Sequence, residues 1–326
     1  MNIYDIAKEC GVSIATVSRV LNNNPKVRPE TRDKILAVMK EQNYTPSSMA
    51  RGLGTGYTRI AGVVCTDLRN PSLCTAVGAV EEVLRQQGLS CLIRATDGTP
   101  ADKQKALGEL ANQGVDGILL LGDFGEEDEA AIYTAAQRAP VVAAGNNLNI
   151  PGVYCVQCDE QQAVASLVGD LFGRQRRNIL LLHSGDISCI GDIVAGYRMG
   201  YEKAGLTADD AHIIRIDPTP EAVNICIKHL LMQRVNFDAV IGTEDVLAVS
   251  AQKALQRIGL SMPVVGCGNS LLAQCATPEL SSIDTQTRLV AATAANLLCR
   301  RLQGEDIPPY TILPATLVER DTFRRN

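Results

Sequence analysis

The segment Ile3-Tyr4-Asp5-Ile6-Ala7-Lys8-Glu9-Cys10-Gly11-Val12-Ser13-Ile14-Ala15-Thr16-Val17-Ser18-Arg19-Val20-Leu21-Asn22 reads as two short helices joined by a tight turn. Gly11 permits the positive φ that ends one helix abruptly, and Ser13 caps the next with its hydroxyl. Ile6, Ala7, Val12, Val17, Val20 and Leu21 fall where two crossed helices bury them. Ile14, Ala15, Thr16, Ser18, Arg19 and Asn22 are left facing outward. A face with one Arg, small hydroxyl residues and little bulk suits a helix lying in a major groove of DNA. The pattern predicts a helix-turn-helix.

A third helix is expected after the loop Asn22-Asn23-Asn24-Pro25. Pro29 suits a first helical turn and Glu30 complements the helix dipole there. Ile35, Leu36 and Met39 recur on one face. Pro46 and Ser47 open a short helical pattern over residues 47–53. Gly52 and Gly54 weaken it by about 1 kcal/mol each relative to Ala, so this segment is expected to fold only on binding. Gly52, Gly54 and Gly56 do not make a phosphate loop, because no apolar strand precedes them.

Charge is distributed unevenly along the 326 residues. Residues 1–60 carry nine Lys/Arg and five Asp/Glu, whereas the whole chain has a net charge of −5. A basic head on an acidic body fits a DNA-binding module joined to a sensing module. The absence of a long apolar stretch and of a leader pattern points to a cytoplasmic protein without membrane association. The 11 cysteines are scattered. Only Cys155 and Cys158 form a C-x-x-C pair, within a strand pattern and with no second ligand pair nearby, which reads as packed thiols and not as a metal site. His183, His212 and His229 show no ligand spacing.

From residue 59 strand and helix patterns alternate. Strands are expected at Ile60–Cys65, Ser90–Ala95, Gly117–Leu121, Val141–Ala144, Val153–Gln157, Asn178–His183, Ile213–Ile216, Ala239–Gly242 and Pro263–Cys267. Helices are expected at Ala76–Gln87, Lys103–Gln113, Gln161–Phe172, Ala222–Arg234 and Val246–Ile258. Continuous apolar strands alternating with helices predict βαβ units and buried parallel sheets. The strands are too many for one ordinary sheet, so the body divides into two doubly wound α/β lobes near residues 157–159. Ligands of such folds sit at the carboxyl ends of the strands, here the cleft between lobes.

This order of parts resembles the lac/galactose repressor family of bacterial transcription regulators. The likeness is carried by Ile3–Asn22 and Ala50-Arg51-Gly52-Leu53, by Arg59–Pro71 and Gln113-Gly114-Val115-Asp116-Gly117-Ile118, and by Leu313-Pro314-Ala315-Thr316-Leu317-Val318-Glu319-Arg320. It implies a small all-α helix-turn-helix head (1–45), a hinge (46–58) and a two-lobed, periplasmic-binding-protein-like body. The first lobe then takes residues 59–157 with 286–315, and the second 158–285 with 316–326. It also implies a homodimer on a pseudo-palindromic operator, no catalytic residues and no cofactor. Ile14, Ala15 and Arg19 stand at base-reading positions, Arg toward guanine and Ile and Ala toward apolar groups such as a thymine methyl. Tyr4, Ser13, Thr16, Ser18 and Asn22 stand at phosphate-contacting positions. Leu53 matches a minor-groove wedge, with Ala50 beside it, and Leu53→Ala is expected to abolish most operator affinity while keeping the fold.

The head is similar to the catabolite control branch of that family, which takes a phosphorylated carrier protein as corepressor. Pocket positions carried over from the family fall on Asn70, Asp97, Gly145, Ile193, Glu244 and Gly268. Ile193 and Gly268 depart from the common sugar-binding pattern, which has Arg and Asp there and so grips neighbouring hydroxyls. The polar candidates for effector binding are Asn70, Asp97, Asn146, Glu244, Asp245 and Asn269. A sugar or sugar derivative is favoured over a phosphosugar, since the expected cleft has little positive charge. A solute-binding protein would share the body but not the basic head. A nucleotide-dependent dehydrogenase would need a glycine fingerprint that Gly266-Cys267-Gly268-Asn269-Ser270-Leu271 lacks.

Overall fold

A computed structural model describes residues 3–21, 25–42, 57–185 and 190–324. The head contains α1 (Ile3–Cys10), α2 (Ile14–Leu21) and α3 (Pro29–Glu41). Gly11 has φ +66° and Ser13 Oγ accepts from Thr16 N at 3.2 Å, so the turn closes as its residues dictate. Ile6, Ala7, Cys10, Val17, Val20, Ile35 and Met39 form the small core, with Val12 and Leu21 packed at its edge. Leu36 corrects the expected apolar face of α3: it is 48% exposed, and Val38 fills the core edge in its place. The Ile35–Met39 pair already covers the width that two short helices offer. Lys34 Nζ donates to the Cys10 carbonyl at 3.0 Å, tying α3 to the end of α1.

Two six-stranded sheets make the body. The first has the order β11-β5-β4-β3-β1-β2, built from β1 (Ile60–Cys65), β2 (Ser90–Ala95), β3 (Gly117–Leu121), β4 (Val141–Ala144), β5 (Val153–Cys158) and β11 (Tyr310–Leu313). The second has the order β12-β10-β9-β8-β6-β7, from β6 (Ile179–His183), β7 (Ile213–Arg215), β8 (Ala239–Gly242), β9 (Val264–Cys267), β10 (Ser281–Asp284) and β12 (Thr316–Val318). Every pairing is parallel except β10 with β12. That exception follows from the connection. β11 leaves the first sheet at its carboxyl edge, and after Pro314 and Ala315 the chain enters the second sheet from the facing carboxyl edge, so β12 must run backwards.

Helices cover both faces of each sheet, as buried parallel strands require. On the first sheet, α4 (Pro71–Gln86) and α12 (Thr287–Leu302) pack on one face, and α5 (Pro100–Asn112) and α6 (Glu129–Ala136) on the other. On the second, α7 (Glu160–Gly173) and α8 (Gly191–Lys203) cover one face. The other is covered by α9 (Pro220–Met232), α10 (Asp245–Arg257) and the short α11 (Leu271–Cys275). Three helices begin earlier than their apolar periodicity announces, at Pro71, Pro100 and Pro220. Proline is at home in the first turn, where its missing N–H has no partner to lose. The side chains of Asn70, Thr99 and Thr219 cap them. The chain passes between sheets three times, after β5, after β10 and after β11. Among the described residues no helix is long and apolar enough to cross a membrane.

Candidate functional site

On α2 the structure separates an inner from an outer face. Val17 and Val20 are buried, while Ile14, Ala15 and Arg19 are exposed together. Ile14 is 40% exposed although nothing in the head calls for an apolar surface there. Ser13 is exposed at the start of this helix, Thr16 and Ser18 are partly exposed along it, and Tyr4 stands out from α1. Asn22, Ala50 and Leu53 lie outside the described residues. Ser13 Oγ and Thr16 Oγ1 are 2.9 Å apart, so cap and first turn present one cluster of hydroxyl and amide groups at a helix N-terminus. That is chemistry suited to a phosphate.

The second candidate site is a cavity of about 600 Å³ where the carboxyl ends of the two sheets meet. From the first sheet come Asp67, Arg69, Asn70 and Ser72, on the loop after β1 and the start of α4. From the second come Thr243, Glu244 and Asp245 after β8, and Cys267, Gly268 and Ser270 after β9. Glu160 joins them at the start of α7, directly after the first crossing.

Of the effector residues expected from sequence, Asn70, Glu244 and Asp245 line this cavity, whereas Asp97, Asn146 and Asn269 do not. Asp97 is exposed and its carboxylate accepts from Thr99 N and Oγ1, at 2.9 and 2.7 Å, as a turn cap. Asn146 is 9% exposed and holds loops together, donating to the Gly122 and Ala144 carbonyls and accepting from Phe124 N. Asn269, at φ +47°, is committed to Asp284 and to the Arg320 guanidinium. Ile193, at a family pocket position, belongs to α8 and turns into the core of the second lobe. Even the residues that do line the cavity have structural duties. Asn70 caps α4 through Ser72 N at 2.9 Å, and Asp245 accepts from Ser282 Oγ and Ser270 N, both at 2.6 Å.

Asp67, Arg69, Glu160 and Ser270 were not singled out from sequence. The available signal was position, since each opens the segment that follows a strand end. Burial, then Asp192 and Asp123, push the Glu160 carboxyl up to about 7. Burial also raises Glu244, against a hydrogen bond from Ser184 Oγ and with help from Asp123 and Asp67. Burial raises Asp245 despite its two serine partners. Asp67 moves the other way, held down by the Arg69 guanidinium at 2.9 Å. His183 donates to the Gly185 carbonyl and Ser184 to Glu244, so these neighbours serve different partners. Cys155 and Cys158 are buried thiols bonded to the Leu148 and Thr285 carbonyls. No group of His, Cys, Asp and Glu among the described residues is arranged to hold a metal ion.

Comparison with known proteins places both sites in context. Residues 2–47 match the profile described as bacterial regulatory proteins, lacI family. Residues 58–308 match that of periplasmic binding proteins and the sugar binding domain of the LacI family. An HTH-type transcriptional regulator of Lachnoclostridium phytofermentans is 35% identical over 331 residues, covering 99% of each chain. Catabolite control protein A of Staphylococcus xylosus is 29% identical, again over 99% of each. Among solved structures, the transcriptional regulator CelR in complex with cellobiose superposes with TM-score 0.73 at 25% identity, over 99% of this chain and 100% of that one. The lac repressor dimer bound to operator and the anti-inducer ONPF superposes with TM-score 0.85 at 24% identity, over 99% and 98%, and shares the fold.

Proposed function

The chain belongs to the lacI family of bacterial regulatory proteins, and from that membership we propose that it represses carbohydrate-utilisation genes under the control of a sugar or sugar derivative held between its lobes. The observation that carries this reading is the coexistence of an exposed Ile14-Ala15-Arg19 face with a polar cavity lined from both sheets. Ligand binds the two lobes in one relative arrangement better than in another, and so shifts their population. In a homodimer the shift changes the spacing of the two segments that follow the heads, and operator affinity changes by the same coupling free energy.

Fluorescence anisotropy on a pseudo-palindromic operator with a central CG step, against a panel of sugars, tests the reading. The expected result is tight, salt-dependent binding that one sugar relieves. Binding unaffected by every sugar but strengthened by a phosphorylated carrier protein moves the control to a protein corepressor, as the relatives named catabolite control proteins suggest. Arg19→Ala is expected to cost about 1–3 kcal/mol at one base pair per half-site and to relax preference there. An unchanged base preference in a substituted-operator series contradicts the role of Arg19.

A further inference from the structure

The cavity between the lobes is acidic beyond what binding hydroxyls requires. Its lining includes Asp67, Glu160, Glu244 and Asp245, against the single cation Arg69 among the described residues. Arg69 is engaged by Asp67, which offsets its charge, and its side chain is 89% exposed. Asp245 is satisfied by Ser282 and Ser270, and Glu244 holds one hydroxyl, that of Ser184. Glu160, half-buried, lines the cavity without a hydrogen bond or ion pair among the described residues, and burial is the first cause of its raised affinity for a proton. Ser270 Oγ, in the same lining, is buried and also lacks a hydrogen-bond partner. A half-buried carboxylate and a buried hydroxyl left without partners in the lining of one cavity both cost free energy that a ligand can recover.

The charges are also arranged across the gap. Asp67 and Asp123 sit on loops of the first sheet, after β1 and β3, while Glu160 and Glu244 open helices on the second. Asp123 acts on both Glu160 and Glu244, and Asp67 acts on Glu244, each raising the affinity for a proton. Acidic groups of the two lobes therefore lie within electrostatic reach of one another. The positive helix ends that would welcome an anion are already met at α7 and α10 by Glu160, Glu244 and Asp245 themselves.

We propose that the cleft selects an organic cation, a small polyhydroxylated molecule with a protonated amine set against Glu160 and Glu244 and a hydroxyl on Ser270. This deepens the effector reading above and rests on it. A cation there meets the unpartnered carboxylate and offsets the repulsion among the acidic groups of the two lobes, which couples ligand charge to their relative arrangement. A phosphate in the same place adds a third row of negative charge.

Calorimetric titration of the full chain with matched pairs (glucose and glucosamine, galactose and galactosamine, mannose and mannosamine), with glucose 6-phosphate alongside, tests it. At least one amine is expected to bind ten or more times as tightly as its hydroxyl counterpart, and glucose 6-phosphate more weakly than either. Glu160→Gln, checked for fold by circular dichroism, is expected to erase that preference, and Glu244→Gln to reduce it. Between pH 6 and 7 the amine's affinity is expected to rise, as Glu160 gives up its proton while most of the amine stays protonated. A neutral or phosphorylated sugar that binds more tightly than every amine overturns the cation and leaves the effector cleft standing. So does an amine preference that survives both substitutions. If no compound binds while operator binding is tight, the cation and the effector cleft fall together.

Discussion

Lys103→Ala is expected to lower the unfolding free energy of the body by about 3–5 kcal/mol, the usual consequence of stranding one member of a buried ion pair. The side chains of Lys103 and Asp128 are 8% and 3% exposed, with 2.7 Å between Nζ and Oδ2. The ammonium also donates to the Asp123 carbonyl at 2.9 Å and stands 5.2 Å from the centre of the Phe124 ring. Asp128 Oδ2 accepts from Gly125 N as well, but its Oδ1 is buried with no partner. The pair is therefore incompletely satisfied, and its value lies in what it fixes and not in net stabilisation. Replacing both residues with apolar ones, as in Lys103→Met with Asp128→Leu, is expected to recover most of the loss. Urea denaturation of the single and double variants measures both. A single-variant loss below about 1 kcal/mol would show that water reaches Asp128 and screens it. What the pair fixes is the loop after β3, which carries Asp123 within electrostatic reach of Glu160 and Glu244. Ligand affinity is therefore expected to fall further than stability alone explains.

The legible parts of this chain are those where local chemistry and tertiary structure agree. Gly11 and Ser13 mark the turn of the head because positive φ and an N-cap leave residue-type signatures. Runs such as Gly117–Leu121 declare strands because both faces are covered. β10 was not legible: Ser281-Ser282-Ile283-Asp284 is mostly polar yet nearly all buried. Its serines are satisfied from far along the chain, Ser281 Oγ by the Phe323 carbonyl and Ser282 Oγ by Asp245. Edge strands β11 and β12 are half exposed and too short to show a period. In the cleft, Asn and Asp at strand ends are ambiguous in sequence, since the same residues favour caps and turns. Asp97 and Asn146 took the second role. Glu160 was marked only by its place after a strand end, because its setting depends on Asp123 and Asp192 brought to it from other strands and helices.

Gly196→Ala tests how tightly the helices under the cleft are packed, and two effects of opposite sign compete in it. Intrinsic propensity favours Ala over Gly inside a helix by about 1 kcal/mol. Against that, a Cβ at Gly196 would lie 3.0 Å from the carbonyl carbon of Gln161 and closer still to its oxygen, and one turn on a Cβ at Gly200 would lie 2.5 Å from Val168 Cβ. The obstacle at Gly196 is backbone, which cannot rotate away, so α8 must separate from α7. Overpacking of this kind costs about 1–3 kcal/mol, and with no flexible side chain to yield the upper end is expected, leaving a net loss of about 2 kcal/mol. Gly169, on α7 itself, has open space around its Cβ position and an exposed place on the helix. Gly169→Ala is therefore expected to stabilise by about 1 kcal/mol. Opposite signs in parallel urea melts, on two helices that share one interface, isolate the contact from the propensity. The functional consequence follows from sequence adjacency. Gln161 neighbours Glu160, and Asp192 begins α8 beside it, so separating the helices moves the carboxylates that define the cavity. Gly196→Ala is expected to weaken ligand binding while leaving the head's operator contacts in place, and a variant with undiminished ligand affinity would show that the cleft does not depend on this crossing.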